Sequence, residues 1–138
     1  MHRSLTQRAH DLLQAHLQRG DRVVDATAGN GYDTLFFARH VGHTGHVFAF
    51  DIQAQALETT RRRLLDAGCA EQVKLCARGH QDMLAELPAD WPGSVAAIAF
   101  NLGYLPGSDK HTITRADTTL AALGQCLRLL KQDGVLSI

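Results

Sequence analysis

Short apolar segments alternate along this chain with stretches whose apolar residues recur at helical spacing, and this alternation constrains the fold more than any other feature. Four segments read as buried strands, and a fifth closes the chain; they cover residues 23–27, 47–50, 73–76, 95–100 and 135–138. Strands that alternate with helices in this way form a parallel sheet with helices on both faces. We therefore predict a doubly wound α/β fold.

The predicted helices carry their own boundary signals. Ser4 and Gln7 have the spacing of a capping box at the start of the first helix, and Gly20 is a candidate for its C-terminal cap. In the last helix, four leucines recur on one face: Leu120, Leu123, Leu127 and Leu130.

Length and charge exclude several classes of protein. The 138 residues fit one domain, residues 1–138, with a single core. Fourteen basic and fourteen acidic side chains cancel, so no overall basic field indicates nucleic acid, although a local patch could still hold RNA. No apolar run approaches the roughly 20 residues of a membrane span. We see no signal peptide and expect a cytoplasmic protein without membrane contact.

Cysteine and histidine spacing argues against metal and disulfide sites. The three cysteines form no C-x-x-C pair. His40, His43 and His46 recur at every third residue, but Gly42 and Gly45 interrupt any helix that would align them. We therefore predict a polar connection there and no metal site.

The end of the chain falls within the fifth apolar segment, residues 135–138. A strand this apolar normally has a neighbour on each side, because a bare edge invites pairing with another chain. We expect either a C-terminally truncated sheet or a homodimer that completes it.

A glycine-containing turn follows the first strand and reads DATAGNGYDT over residues 25–34. Gly29 and Gly31 allow a ligand to approach the backbone, and the next helix presents unpaired N–H groups to it. A dinucleotide fingerprint needs a small third residue where Thr34 stands, and Asp33 would repel a pyrophosphate. The positive groups of S-adenosylmethionine fit this turn better.

Polar residues follow the second and third strands at the same end of the predicted sheet. Asp51 can accept both ribose hydroxyls of an adenosine, with Gln53 beside it, although it could also cap the following helix. His80 or Asp82 could bind the adenine amine, and Asp82 could instead be a helix cap. A dehydrogenase would share the acid at position 51.

Three motifs together resemble a known family. They are residues 25–34, residues 46–53 (HVFAFDIQ) and residues 101–110 (NLGYLPGSDK). The chain is similar over nearly its whole length to the class I methyltransferase family labelled "putative rRNA methylase", whose characterised members methylate 5-(aminomethyl)uridine in tRNA. The family usually has Gly-Gly-Asp-Lys where this chain has residues 107–110, and its final strand pair and a histidine-containing segment are missing here.

The resemblance also implies which residues hold the cofactor. The expected contacts to S-adenosylmethionine are Asn30, Asp33, Asp51, Gln53 and His80.

The segment after the fourth strand is the candidate acceptor site. Its outline from Asn101 to Tyr104 is similar to the Asn-Pro-Pro-Tyr of amine-directed methyltransferases, without the prolines. The Asn101 carboxamide can orient an attacking amine, and the Tyr104 ring can stack on a base. Asp109 is a candidate proton acceptor, and Lys110 could meet an RNA phosphate. The same residues could instead form a tight loop with an Asn turn.

The leading hypothesis is a methyltransferase that uses S-adenosylmethionine to methylate an amine on RNA, in particular the aminomethyl group of a tRNA wobble uridine. An rRNA or another amine is a second candidate substrate. Two competing hypotheses are a truncated, non-catalytic cofactor-binding domain and a dinucleotide oxidoreductase.

Overall fold

Five parallel strands form one sheet in the computed structural model, which describes residues 4–101 and 116–138. The strands are β1 (Arg22–Asp25), β2 (His46–Phe50), β3 (Val73–Cys76), β4 (Val95–Ala99) and β5 (Leu130–Ser137). The helices are α1 (Leu5–Gln14), α2 (Tyr32–Val41), α3 (Ala54–Asp66), α4 (Met83–Glu86) and α5 (Ala116–Leu129). Two 3₁₀ turns, Ala70–Gln72 and His80–Asp82, precede β3 and α4.

The strand order is β3-β2-β1-β4-β5, and every neighbouring pair is parallel. The chain thus builds outward from β1 in one direction and then in the other. In sheets of this kind, ligands bind beyond the carboxyl ends of the strands, where the order reverses. Here that point lies between β1 and β4.

Helices cover both faces of the sheet, which confirms the predicted doubly wound α/β fold. Successive strand residues point to opposite faces, so Val23 packs with residues of α1, α2 and α3, whereas Val24 packs with residues of α4 and α5. All five residues of β4 are buried. This two-sided burial explains why the strand segments read as continuous apolar runs.

The start of α1 follows the sequence prediction, but its end does not. Ser4 and Gln7 form the capping box. The helix ends at Gln14 rather than at Gly20, so the prediction for Gly20 is wrong. Gly20 has a φ of 91° in the turn before β1, and its N–H donates to the Val41 carbonyl. Its left-handed conformation therefore belongs to the turn that leads into β1 and does not end α1.

The leucine face predicted for the last helix is not the one that α5 buries. Leu120 and Leu127 are 68% and 81% exposed. The buried positions of this helix are Ala122, Cys126 and Leu129. Small side chains let a helix lie close to a sheet, and helical spacing alone cannot say which of two apolar stripes does so.

The end of the chain also differs from its prediction. The strand was predicted over residues 135–138, but β5 already begins at Leu130, so that residues 133–134 lie inside it. Asp133 has a φ of 71°, and the pairing with β4 shifts register between Val95 and Ala97. The irregularity absorbs the Asp-Gly pair without ending the strand.

The described cysteines Cys69, Cys76 and Cys126 are buried and free. In residues 4–101 and 116–138, no helix combines the length and apolar composition needed to cross a bilayer.

Candidate cofactor and acceptor site

The turn from β1 to α2 passes close to α3. Gly31 is the N-cap of α2 and has a φ of 86°, in the left-handed region. A Cβ added there would lie 2.9 Å from the Thr60 Cα. The Thr60 hydroxyl in turn donates to the Gly29 carbonyl at 3.2 Å. Both the backbone angle and the neighbouring helix therefore require glycine at position 31.

A buried carboxylate underlies this turn. Asp25, at the end of β1, accepts the Thr34 hydroxyl at 2.6 Å and the Thr27 N–H at 3.2 Å. The pKa of Asp25 is raised to about 7, mainly by burial and to a smaller extent by the charges of Asp33 and Asp51, while the two hydrogen bonds act to lower it. We did not predict this role. The signal was an acidic residue between an apolar strand and a glycine turn.

Asp51 ties the end of β2 to the turn. One oxygen, Oδ2, accepts the Gly29 N–H at 2.9 Å, and Oδ1 accepts the Gln53 N–H at 2.9 Å. Because Gln53 is the N-cap of α3, Asp51 also supports the start of that helix. A carboxylate has about four lone-pair positions, so two remain for ligand hydroxyls.

The two other predicted contacts on the turn differ in exposure. Asn30 is exposed, and its carbonyl accepts the Arg63 Nε–H at 2.8 Å. Asp33 is partly buried in the first turn of α2, where its Oδ1 lies 2.6 Å from the His10 Nε2 on α1. No pattern in the sequence singled out position 10.

His80 is a buried histidine with an unpaired atom. It is 7% exposed, and its ring meets the Phe100 ring edge-on at 5.4 Å between centroids. Its Nε2 has no hydrogen-bond partner among the described residues. Burial lowers the pKa of the imidazole below its ordinary 6.5, so the ring is neutral at pH 7.

The predicted role of Asp82 as a helix cap is not observed. Asp82 stands at the N-cap of α4, but its side chain makes no capping hydrogen bond. The Gln125 side chain from α5 instead accepts the Leu84 N–H at 2.7 Å.

The acceptor segment begins beside the glycine turn. The Asn101 N–H donates to the Thr27 hydroxyl oxygen at 2.6 Å, and Asn101 itself is exposed. The structure thus joins the end of β4 to the end of β1, at the reversal of strand order. The other predicted acceptor residues, Tyr104, Asp109 and Lys110, lie outside the described residues.

One apolar side chain at this end of the sheet was not predicted as a contact. Ile52 lies between Asp51 and Gln53 and is 75% exposed. Water contact with so large an apolar side chain is unfavourable, and a flat ligand ring laid on it would remove that contact.

The described part of the chain contains no group of three or more His, Cys, Asp or Glu side chains that could hold a metal ion.

Comparison with known proteins confirms the family resemblance. Residues 47–138 match the family described as "Putative rRNA methylase". The chain is 42% identical, over 96% of its length, to the chloroplastic tRNA (mnm(5)s(2)U34)-methyltransferase of Arabidopsis thaliana. It covers 51% of that protein, and so spans about half the length of the curated relatives it matches.

Two solved structures share its fold closely. A "putative rRNA-methylase" from Clostridium thermocellum is 41% identical, with a TM-score of 0.89 over 99% of this chain and 71% of that one. A "putative methyltransferase" from Streptococcus mutans, in complex with SAH (S-adenosylhomocysteine), is 36% identical, with a TM-score of 0.80 over 95% and 69%. The sheet is thus the Rossmann-like sheet of these methyltransferases.

The packing of Gly31 against α3 leads to a first prediction. Gly31→Ala should destabilise the protein by about 1–3 kcal/mol more than Gly68→Ala, because it adds a clash to the backbone strain. Gly68 is the matched control, since its φ is 71° and a Cβ there meets nothing within 4 Å. Urea unfolding measures both variants. Equal losses would show that α3 does not restrict the turn.

Asp25 leads to a prediction about pH. Its pKa of about 7 lies above the ordinary 3.8, so the folded state binds the proton more tightly. The contribution of the protonated Asp25 carboxyl to the free energy of unfolding is therefore fully present below pH 4, and it is lost as the pH rises to 7. Relative to Asp25→Asn, the wild-type protein should lose about 1 kcal/mol per pH unit over that range. Subtracting the stability of Asp25→Asn from that of the wild-type protein at each pH removes the contributions of other titrating groups. Parallel curves of stability against pH for the two proteins would contradict the prediction.

Proposed function

The chain belongs to the "Putative rRNA methylase" family, and from this premise we propose that it is an S-adenosylmethionine-dependent methyltransferase acting on an amine of RNA. The more specific substrate that we propose is the aminomethyl group of a tRNA wobble uridine. The name of the Arabidopsis relative supports this substrate.

The observation that carries the proposal is the convergence of three carboxylates on the glycine turn. Asp25 lies beneath it, Asp51 accepts its Gly29 N–H, and Asp33 follows it in α2. Burial is the main cause that raises the pKa of Asp25, and the negative charges of Asp33 and Asp51 add to the rise. A pyrophosphate would add negative charge here, whereas a sulfonium and an ammonium group offset it. The turn therefore favours S-adenosylmethionine over a dinucleotide.

An adenosine at the same end of the sheet would fit Asp51 and two further residues. Asp51 keeps lone pairs for the ribose hydroxyls. The exposed Ile52 side chain offers an apolar surface to the flat adenine. His80 has a buried Nε2 without a partner among the described residues, and an unpaired buried polar atom is costly unless a ligand pairs with it. Asn30 and Gln53, both exposed, complete the proposed contacts.

When bound, S-adenosylmethionine supplies a methyl group activated by its positive sulfur. The remaining work of the protein is to position the amine and to remove its proton. Asn101 starts the acceptor segment next to Thr27, so its carboxamide can accept a hydrogen bond from the amine beside the methyl donor. We propose that Tyr104 stacks on the base and that Asp109 accepts the proton.

We also propose that the protein forms a homodimer and is located in the cytoplasm. Among the described strands, β5 pairs only with β4, and its other edge is where a second copy of the chain would pair in a homodimer. A cytoplasmic location would bring the enzyme to its tRNA substrate.

The cofactor part of the proposal is tested at Asp51. Asp51→Ala should weaken S-adenosylmethionine binding by about 1.5–3 kcal/mol, the range for a hydrogen bond to a charged group. Asp66→Ala, at the exposed end of α3, should change nothing. Calorimetry measures both, and circular dichroism checks that each variant keeps the helix and strand content of the wild-type protein. Unchanged affinity would remove Asp51 from the site, and tight NAD binding by the unmodified protein would refute the methyltransferase proposal.

The acceptor part is tested with tRNA that carries the aminomethyl group. Asn101→Ala should lower kcat while cofactor affinity stays nearly constant, because the contact matters most during transfer. Tyr104→Ala should weaken RNA binding by about 1–3 kcal/mol, the worth of one stacked base. Mass spectrometry of the modified nucleoside gives the readout.

The assay uses this chain together with a version extended past Ile138. Cofactor binding without methylation by either version would favour a non-catalytic binding domain. Full activity of the Asn101→Ala, Tyr104→Ala double variant would show that the acceptor site is elsewhere.

A further inference from the structure

Helix α1 delivers one side chain to the candidate cofactor site. The His10 Nε2 lies 2.6 Å from the Asp33 Oδ1, a short distance for a hydrogen bond to a carboxylate. The His10 side chain is 22% exposed and that of Asp33 24%, so water competes only partly for the contact.

A second contact fixes the plane of the same ring. The His10 ring stacks on the Phe36 ring with 3.9 Å between centroids and 7° between planes. Phe36 follows Asp33 by three residues on α2, so both partners of His10 lie on one face of that helix. The imidazole is thus held by its face and by its Nε2 at once.

These contacts matter because Asp33 lies in the first helical turn of α2, directly after the glycine turn. It is close enough to Asp25 for its charge to contribute to the raised pKa of that residue. A carboxylate there that rotated freely would lose entropy on meeting a ligand. With Oδ1 held by His10, the second oxygen is left for a cationic group.

We propose that His10 is a positioning residue, which orients the Asp33 carboxylate toward the positively charged part of the cofactor. The inference rests on the proposed function, because it assumes that S-adenosylmethionine is the ligand. It adds α1 to the elements that build the site.

The test separates the hydrogen bond from the stacking contact. His10→Phe keeps an aromatic ring on Phe36 but has no N–H, whereas His10→Gln has an N–H but no ring. S-adenosylmethionine should bind His10→Phe about tenfold more weakly, and His10→Gln should recover most of the affinity. His40→Phe is the matched control, since His40 also contacts the Phe36 ring but bonds the Phe36 carbonyl instead of Asp33. The affinity of His40→Phe for S-adenosylmethionine should equal that of the wild-type protein.

A double-mutant cycle with Asp33→Asn distinguishes positioning from a general structural role. If His10 acts through Asp33, His10→Phe should cost almost nothing further once Asp33 is replaced. Additive losses, or equal binding by wild type and His10→Phe, would overturn the inference while leaving the proposed function intact. No binding by the unmodified protein would overturn both.

Folding is controlled separately. Should His10→Phe fail to fold, His10→Gln is compared with His10→Leu, which is of similar size but has no donor. Better binding by the glutamine variant supports the inference, and equal binding refutes it.

Discussion

Hydrogen bonds from three neighbouring elements hold the turn between β1 and α2, and the candidate site depends on them. Asp51 at the end of β2 accepts the Gly29 N–H, and the Thr60 hydroxyl on α3 donates to the Gly29 carbonyl. At the base of the turn, Asp25 accepts the Thr34 hydroxyl. Because the backbone is fixed in this way before any ligand arrives, little entropy is lost there on binding.

The carboxylates that accept these hydrogen bonds also concentrate negative charge at the turn. Burial is the main cause that raises the pKa of Asp25 to about 7, and the negative charges of Asp33 and Asp51 contribute to the same rise. Both charges therefore repel an ionised Asp25. A cation bound over the turn would relieve this repulsion and favour ionised Asp25. The price of the arrangement is a fold that is less stable at neutral pH than the packing alone would allow. Such a cost is common where a site is built for a charged ligand.

Sequence patterns predicted β1 to β4 well because each of these strands contains buried residues, so apolar segments mark them directly. β5 contains none, and only its end was predicted. β3 was predicted with its observed bounds, Val73–Cys76. The buried face of α5 was not, because the exposed Leu120 and Leu127 carry a stronger hydrophobic signal than Ala122 and Cys126. Local motifs likewise gave the glycine turn, whereas the His10 contact joins residues 23 positions apart and leaves no local pattern.

The strand order places the proposed cofactor turn and the proposed acceptor segment side by side, as a single transfer reaction would require. β1 lies between β2 and β4, so the ends of both neighbours meet at the turn, through Asp51 on one side and Asn101 on the other. The Thr27 hydroxyl oxygen, which accepts the Asn101 N–H, belongs to the turn itself. A displacement of the turn would therefore move Asn101, the proposed amine-orienting residue, together with the proposed binding site of the methyl donor. In an in-line transfer, whose rate depends steeply on the distance and angle of the attacking group, such a shared anchor preserves the relative geometry that catalysis requires.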